Sequence, residues 1–126
     1  MVVAAIFFVA CTQKQVISIV ENEKGQNVIN KEGNNLLKNS FDKVYLYSDD
    51  YIKIQKDEKY GIANYDGKIL LETKYKNISP LYYDFATISL NDKVGLVDMS
   101  MQIVLAPAFQ SIKIEDNYFI VEKDNK

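Results

Sequence analysis

The sequence predicts an all-β fold, an array of about three 34-residue β-meander or hairpin units with little helix. Three observations lead there. The landmarks superpose when the chain is shifted by 34 residues, without a gap: Gly61 on Gly95, Gly33 on Gly67, Tyr75 on Phe109, Phe41 on Tyr75, Tyr51 on Phe85 and Phe85 on Phe119. Within each period, short runs of alternating apolar residues are separated by turn signals. No stretch sustains the i, i+3, i+4, i+7 apolar spacing of an amphipathic helix.

The middle unit shows each element in order. Lys59 to Asn64 reads as a strand. Tyr65-Asp66-Gly67 reads as a turn in which Gly67 supplies the positive φ of a tight hairpin. Lys68 to Glu72 reads as the return strand, and Thr73 to Asp84 as a connecting loop pinned by Tyr75, Ile78 and Pro80. Phe85 to Leu90 is a third strand with period-2 alternation, and Asn91-Asp92 turns into the next unit. Gln15 to Val20 is in phase with the Tyr51 strand and supplies the strand of an incomplete leading unit. The units are 25–58, 59–92 and 93–126. Arrays of this kind bury each unit's apolar face on its neighbours, so a single unit is unstable alone.

Gly61-Ile62-Ala63-Asn64, Asp66-Gly67-Lys68-Ile69-Leu70, Tyr75 and Ile78 together resemble the bacterial WG (KWG) repeat. The third unit carries the same pattern as Lys93-Val94-Gly95-Leu96-Val97-Asp98, Ile103-Val104-Leu105, Phe109 and Ile112, and the first as Val28-Ile29-Asn30, Gly33, Leu36-Leu37, Phe41 and Val44. The signature Trp is replaced by Gln26, Tyr60 and Val94. The signature Gly is Asn27 in the first unit, where tolerance of a left-handed backbone would explain it. The turn Gly is Met101 in the third unit, which predicts a looser or different turn there. The resemblance implies a β-rich array, often on secreted or envelope proteins, without enzymatic activity.

Composition narrows function by exclusion. All 15 basic residues are Lys, against 17 acidic ones, and there is no Arg, His or Trp. Without His there is no Ser-His-Asp triad and no His-liganded zinc. Evenly spread lysines with a net charge of -2 argue against nucleic acid. A single Cys excludes an internal disulfide. Ser48-Asp49-Asp50, Asp57-Glu58 and Glu115-Asp116 lack the spacing of a Ca²⁺ loop and read as solvated turns. No cofactor, metal or catalytic residue is expected.

Two features point to address and partner. Val2 to Ala10 are apolar and end at Cys11, followed by Thr12-Gln13-Lys14-Gln15. Nine helical residues rise roughly 14 Å, short of the ~30 Å hydrocarbon core. The arrangement resembles a lipoprotein signal peptide over 1–10, with Cys11 lipidated and 11–24 forming a short tether and leading strand. Phe8 stands where that family usually has Leu, and no basic residue precedes the apolar run. The resemblance implies a membrane-anchored lipoprotein of the bacterial cell envelope. The second feature is tyrosine, nine in all. Tyr45, Tyr47 and Tyr51 are placed in one loop, and Tyr82 and Tyr83 in the equivalent loop of the next unit. Tyr45, Tyr47, Tyr82 and Tyr83 form a candidate binding face for a protein or glycan, whereas Tyr51, Tyr60 and Tyr75 occupy structural repeat positions. The competing reading is a structural module that associates weakly with itself through exposed strand edges.

Overall fold

The computed structural model describes residues 18–123, which form twelve β-strands and no helix. The segment 1–17, with Cys11, and the tail 124–126 lie outside the described residues. Four antiparallel sheets follow in chain order. A leading hairpin pairs β1 (Ser18–Asn22) with β2 (Gly25–Ile29). The first full sheet is a meander of β3 (Lys43–Leu46), β4 (Tyr51–Lys56), β5 (Lys59–Asn64) and β6 (Ile69–Tyr75). The second contains β7 (Asn77–Ile78), β8 (Phe85–Leu90), β9 (Lys93–Asp98) and β10 (Ile103–Phe109). A closing hairpin pairs β11 (Ser111–Ile114) with β12 (Phe119–Glu122).

Each full sheet straddles two sequence units. The unit 59–92 gives β5 and β6 to one sheet and β7 and β8 to the next. Covalent continuity thus runs across sheets while hydrogen bonding runs across units, which ties neighbours together twice. The apolar clusters lie between sheets. Val28, Leu37, Val44, Ile52, Ile54 and Ala63 pack the leading segment against the first full sheet. Ile62, Leu71, Tyr75, Ile78, Ala86, Ile88, Val97 and Met101 pack the two full sheets together. Ile62 and Ala63 are adjacent in β5, point to opposite faces, and are both fully buried. The first full sheet is therefore covered on both sides. Beyond the second sheet, β11 touches β8 and β9, and Phe119 meets its repeat equivalent Phe85 edge-on with centroids 4.8 Å apart.

Two turn devices recur. Asp57-Glu58 and Asn91-Asp92 both have positive φ at each position, forming two-residue turns whose twist matches the strands they join. The second device is an Asx motif. Asn30, Asn64 and Asp98 each accept backbone N–H groups two and four residues on, from Glu32 and Asn34, Asp66 and Lys68, and Ser100 and Gln102, at 2.9–3.0 Å.

The structure corrects three expectations. Met101 does not loosen its turn. Its φ is 65°, its N–H donates to Asp98 O at 2.9 Å, and Gly33 and Gly67 do the same to Asn30 and Asn64 at 3.0 Å. The side chain of Met101 is buried between the sheets, and that burial offsets the left-handed backbone. Second, Asn27 is not left-handed, and neither are Gly61 and Gly95. Glycine is needed there for close approach. A Cβ on Gly61 would stand 2.3 Å from Leu71 O, and one on Gly95 2.6 Å from Leu105 O, because β6 and β10 cross at irregularities in their register. The first unit has no strand in that place. The Asn27 amide fills the gap, accepting from Val28 N and Leu37 N at 2.7 and 3.2 Å and donating to Leu37 O at 3.0 Å. Third, Thr73 to Asp84 is not all loop. β6 continues to Tyr75, which is buried opposite Tyr60, and β7 follows at once. The same cross-pairing joins Gln26 to Phe41 and Val94 to Phe109.

Candidate functional site

A cleft of about 370 Å³ opens between the first full sheet and the start of the second, lined by Tyr45, Leu46, Tyr47, Lys53, Tyr60 and Pro80. Strand register builds it. Tyr45 lies directly opposite Lys53, and Gln55 opposite Tyr60, so the side chains of Tyr45, Lys53 and Tyr60 share one face across three strands. This face continues into the buried Ile62 and Leu71, where the second sheet covers it. Toward β3 that cover thins to the chain following β7, and Pro80 forms the opposite wall.

Lys53 is the central group. Its ammonium stands 4.5 Å from the Tyr60 ring centroid and donates a 3.0 Å hydrogen bond to Ile78 O. Burial lowers its pKa, and among the described residues no carboxylate is paired with it. The Tyr45 and Tyr60 rings are tilted at 48° with centroids 6.4 Å apart, and the Tyr45 hydroxyl donates to Gln55 Oε1 at 3.1 Å. Tyr47 is half-buried, its hydroxyl donates to Ser79 O at 2.5 Å, and burial pushes its pKa up to about 12. Leu46 is 60% exposed at the rim. The carbonyls of Ile78 and Ser79, on the short edge strand β7 and beside it, are thus capped by Lys53 and Tyr47 from the neighbouring sheet.

The four candidate tyrosines divide. Tyr45 and Tyr47 line the cleft, whereas Tyr82 and Tyr83 stand exposed at a tight turn whose Tyr83 and Asp84 both have positive φ. Tyr45 is on β3 and Tyr51 begins β4, so neither sits in a loop, contrary to the sequence expectation. Tyr51 is half-buried and donates to Met99 O at 2.7 Å; burial, then Asp50 and Asp98, raise its pKa. Tyr60, assigned above to a purely structural position, also lines the cleft. Lys53 and Leu46 were not singled out from sequence, and Pro80 only as a residue pinning a loop. A signal was present: one period on, Tyr45, Lys53 and Tyr60 become Ser79, Thr87 and Val94, so the combination, which spans the first two units, does not recur in the next pair.

Among the described residues no cluster of His, Cys, Asp or Glu could hold a metal, and every buried side-chain polar atom has a hydrogen-bond partner. The cleft's resources are aromatic faces, aliphatic surface and one cation. No curated protein and no solved structure is detectably similar to the chain. Three successive segments, 28–60, 60–93 and 95–126, match the family profile of the WG containing repeat. With most of its length matched and its recurring glycines explained by the crossing strands, the chain belongs to the WG-containing-repeat family.

Proposed function

We propose that the chain is a non-catalytic module of a bacterial cell-envelope lipoprotein and binds a protein or glycan partner at the tyrosine-lined cleft. The observation carrying the binding reading is the half-buried Lys53, its ammonium against the Tyr60 ring in a gap between sheets that Tyr45 also lines, with no carboxylate paired to it among the described residues. The ammonium caps the Ile78 carbonyl with one of its N–H groups, which leaves donors and its charge to offer a ligand in the cleft. The envelope address rests on the apolar run Val2 to Ala10 ending at Cys11.

Two measurements test this. Intact mass of membrane-extracted protein, expressed with its native upstream sequence, is expected to correspond to residues 11–126 plus acyl chains; an unmodified mass retaining residues 1–10 removes the anchor. For the cleft, a photo-crosslinking amino acid at Leu46 is expected to give a discrete adduct in cells, and one at Glu23 none. Absence of any adduct from Leu46 removes the binding reading. The self-assembly alternative is favoured by one observation: Ile103, Val104, Ile120 and Val121 are each at least 42% exposed, and β12 pairs only with β11 among the described residues. A crosslinker at Val121 yielding multiples of the chain mass would support it.

A further inference from the structure

We infer that the cleft recognises an acidic peptide segment: an Asp or Glu side chain pairs with the Lys53 ammonium while an adjoining apolar side chain lies against Leu46, Pro80 and the Tyr45 ring. The inference rests on the reading that this cleft is the binding site.

Charge sets the sign of the ligand. Among the described residues, Lys53 is the only charged group lining the cleft. One of its three N–H bonds goes to Ile78 O, and no carboxylate pairs with it among the described residues. A cationic ligand is repelled, and an anion completes a charge-assisted pair beside low-dielectric aromatic walls. The Tyr60 face already stabilises the ammonium from one side, so the open side is where a carboxylate approaches.

The walls choose between peptide and sugar. Sugar hydroxyls call for several donors and acceptors in the lining. Here the hydroxyl protons of Tyr45 and Tyr47 are committed to Gln55 and Ser79, and among the described residues no Asn, Asp, Gln or Glu lines the cleft. Beside Lys53 and the single phenol of Tyr60, what remains is ring faces, a leucine and a proline, which favour an apolar side chain over a sugar's many hydroxyls. A volume of about 370 Å³ suits a few side chains of an extended segment rather than a folded surface. Main-chain pairing along β3 is blocked at its midpoint, because the Val44 N–H donates to Gln26 Oε1 at 2.9 Å. Recognition therefore runs through side chains rather than strand addition.

The test uses the full chain and three probes: acetyl-Leu-Asp-Leu-amide, its Asn counterpart and glucuronic acid. NMR follows the Tyr45 and Tyr60 ring protons and the Lys53 ε-methylene. The Asp peptide is expected to shift these resonances and to bind about tenfold more tightly than the Asn peptide, with the preference weakened by salt. In Lys53→Met, which keeps the aliphatic stem, the two peptides should bind equally. The Asp/Asn comparison on the unaltered chain stands whether or not that variant folds. Equal binding of both peptides to the unaltered chain overturns carboxylate recognition and leaves the cleft as a binding site. Binding of glucuronic acid without either peptide overturns the peptide class. If no probe moves a cleft resonance, the inference falls, while the adduct at Leu46 still decides the broader reading.

Discussion

Replacing Asn27 by glycine would give the first unit the residue its two successors have in that column, yet the structure makes this the wrong residue for the place. Gly61 and Gly95 are glycines because a strand crosses within reach of a Cβ; at Asn27 the equivalent segment forms no regular strand and pairs with β2 only through the isolated bridges Gln26–Phe41 and Ile29–Asn35. The 4%-exposed amide instead satisfies the N–H and C=O of Leu37 and the N–H of Val28, all in the cluster that joins the leading segment to the first full sheet. Asn27→Gly leaves both polar groups of Leu37 without this partner. At about 1–3 kcal/mol for each, moderated by water entering the space, and with a further ~0.5–1 kcal/mol for glycine in a strand, the loss is about 3 kcal/mol. Against a native stability of roughly 5–15 kcal/mol that is a large fraction. Urea denaturation followed by far-ultraviolet circular dichroism measures it. With a slope of about 2 kcal/mol per molar, the midpoint should fall by about 1.5 M. A loss under about 0.5 kcal/mol would refute the reasoning, because it would mean that the amide network does not hold Leu37 in place.

Three other outcomes follow from the same geometry. Gly61→Ala puts a Cβ 2.3 Å from Leu71 O and 2.9 Å from the carbonyl carbon of Glu72, so β6 must move; a loss of about 2 kcal/mol or more is expected in the same assay. Met101→Gly relieves a left-handed backbone worth about 1 kcal/mol but empties a buried site worth about 2–3 kcal/mol, so thermal unfolding should show a net destabilisation; a stabilised variant would mean that the side chain contributes nothing to the inter-sheet core. Tyr47→Phe should cost about 1 kcal/mol at pH 9 through the lost bond to Ser79 O. The native phenol is held neutral up to about pH 12, while the unfolded one ionises near 10, so its contribution is present below pH 10 and lost between 10 and 12. Discounting for partial exposure, about 1 kcal/mol disappears over that interval, and the gap between native chain and variant should close by pH 11.5. A gap that stays constant with pH would contradict the buried hydroxyl.

The array was legible because its signals are local and repeated. Lys59–Asn64 and Phe85–Leu90, the latter with period-2 alternation, are bounded by turn residues and form as strands over those same residues. Where the reading departed from the structure, the cause was a non-local partner. Nothing adjacent to Thr73 announces that β6 continues to Tyr75, since the reason is Tyr60 across the sheet. Glycine at 61 and 95 has two physical explanations, positive φ and close approach, and a sequence does not distinguish them. The first would let asparagine substitute by backbone tolerance; the second requires its amide to replace an absent strand. Met101 carries the same lesson in reverse. The turn is held by the Asp98 carboxylate accepting from the N–H groups of Ser100 and Gln102, so losing glycine did not lose the turn.

The cleft was less legible for a reason intrinsic to repeats. Columns that recur encode the fold, since each unit must offer its neighbours the same faces: Gly61 and Gly95, Tyr75 and Phe109, Ile78 and Ile112. A site found once must lie in columns that do not recur, and these are what a period search averages away. Following the β3 face through the array makes this concrete. Tyr45 becomes Ser79 and then Lys113; Lys53 becomes Thr87 and then Val121; Tyr60 is Gln26 one unit earlier and Val94 one unit later. In the second sheet the Ser79 hydroxyl simply accepts from Thr87 N at 2.9 Å, and these columns close on themselves. In the first, an ammonium lies against the Tyr60 ring and caps the Ile78 carbonyl in columns that the second sheet fills with a hydroxyl and a methyl. The fold tolerates the smaller set, as its own second sheet demonstrates. Transplanting it, as Tyr45→Ser with Lys53→Thr and Tyr60→Val, should therefore leave a folded array while removing the cleft's rings and charge together. Such a variant separates what the architecture requires of these columns from what the first sheet adds to them.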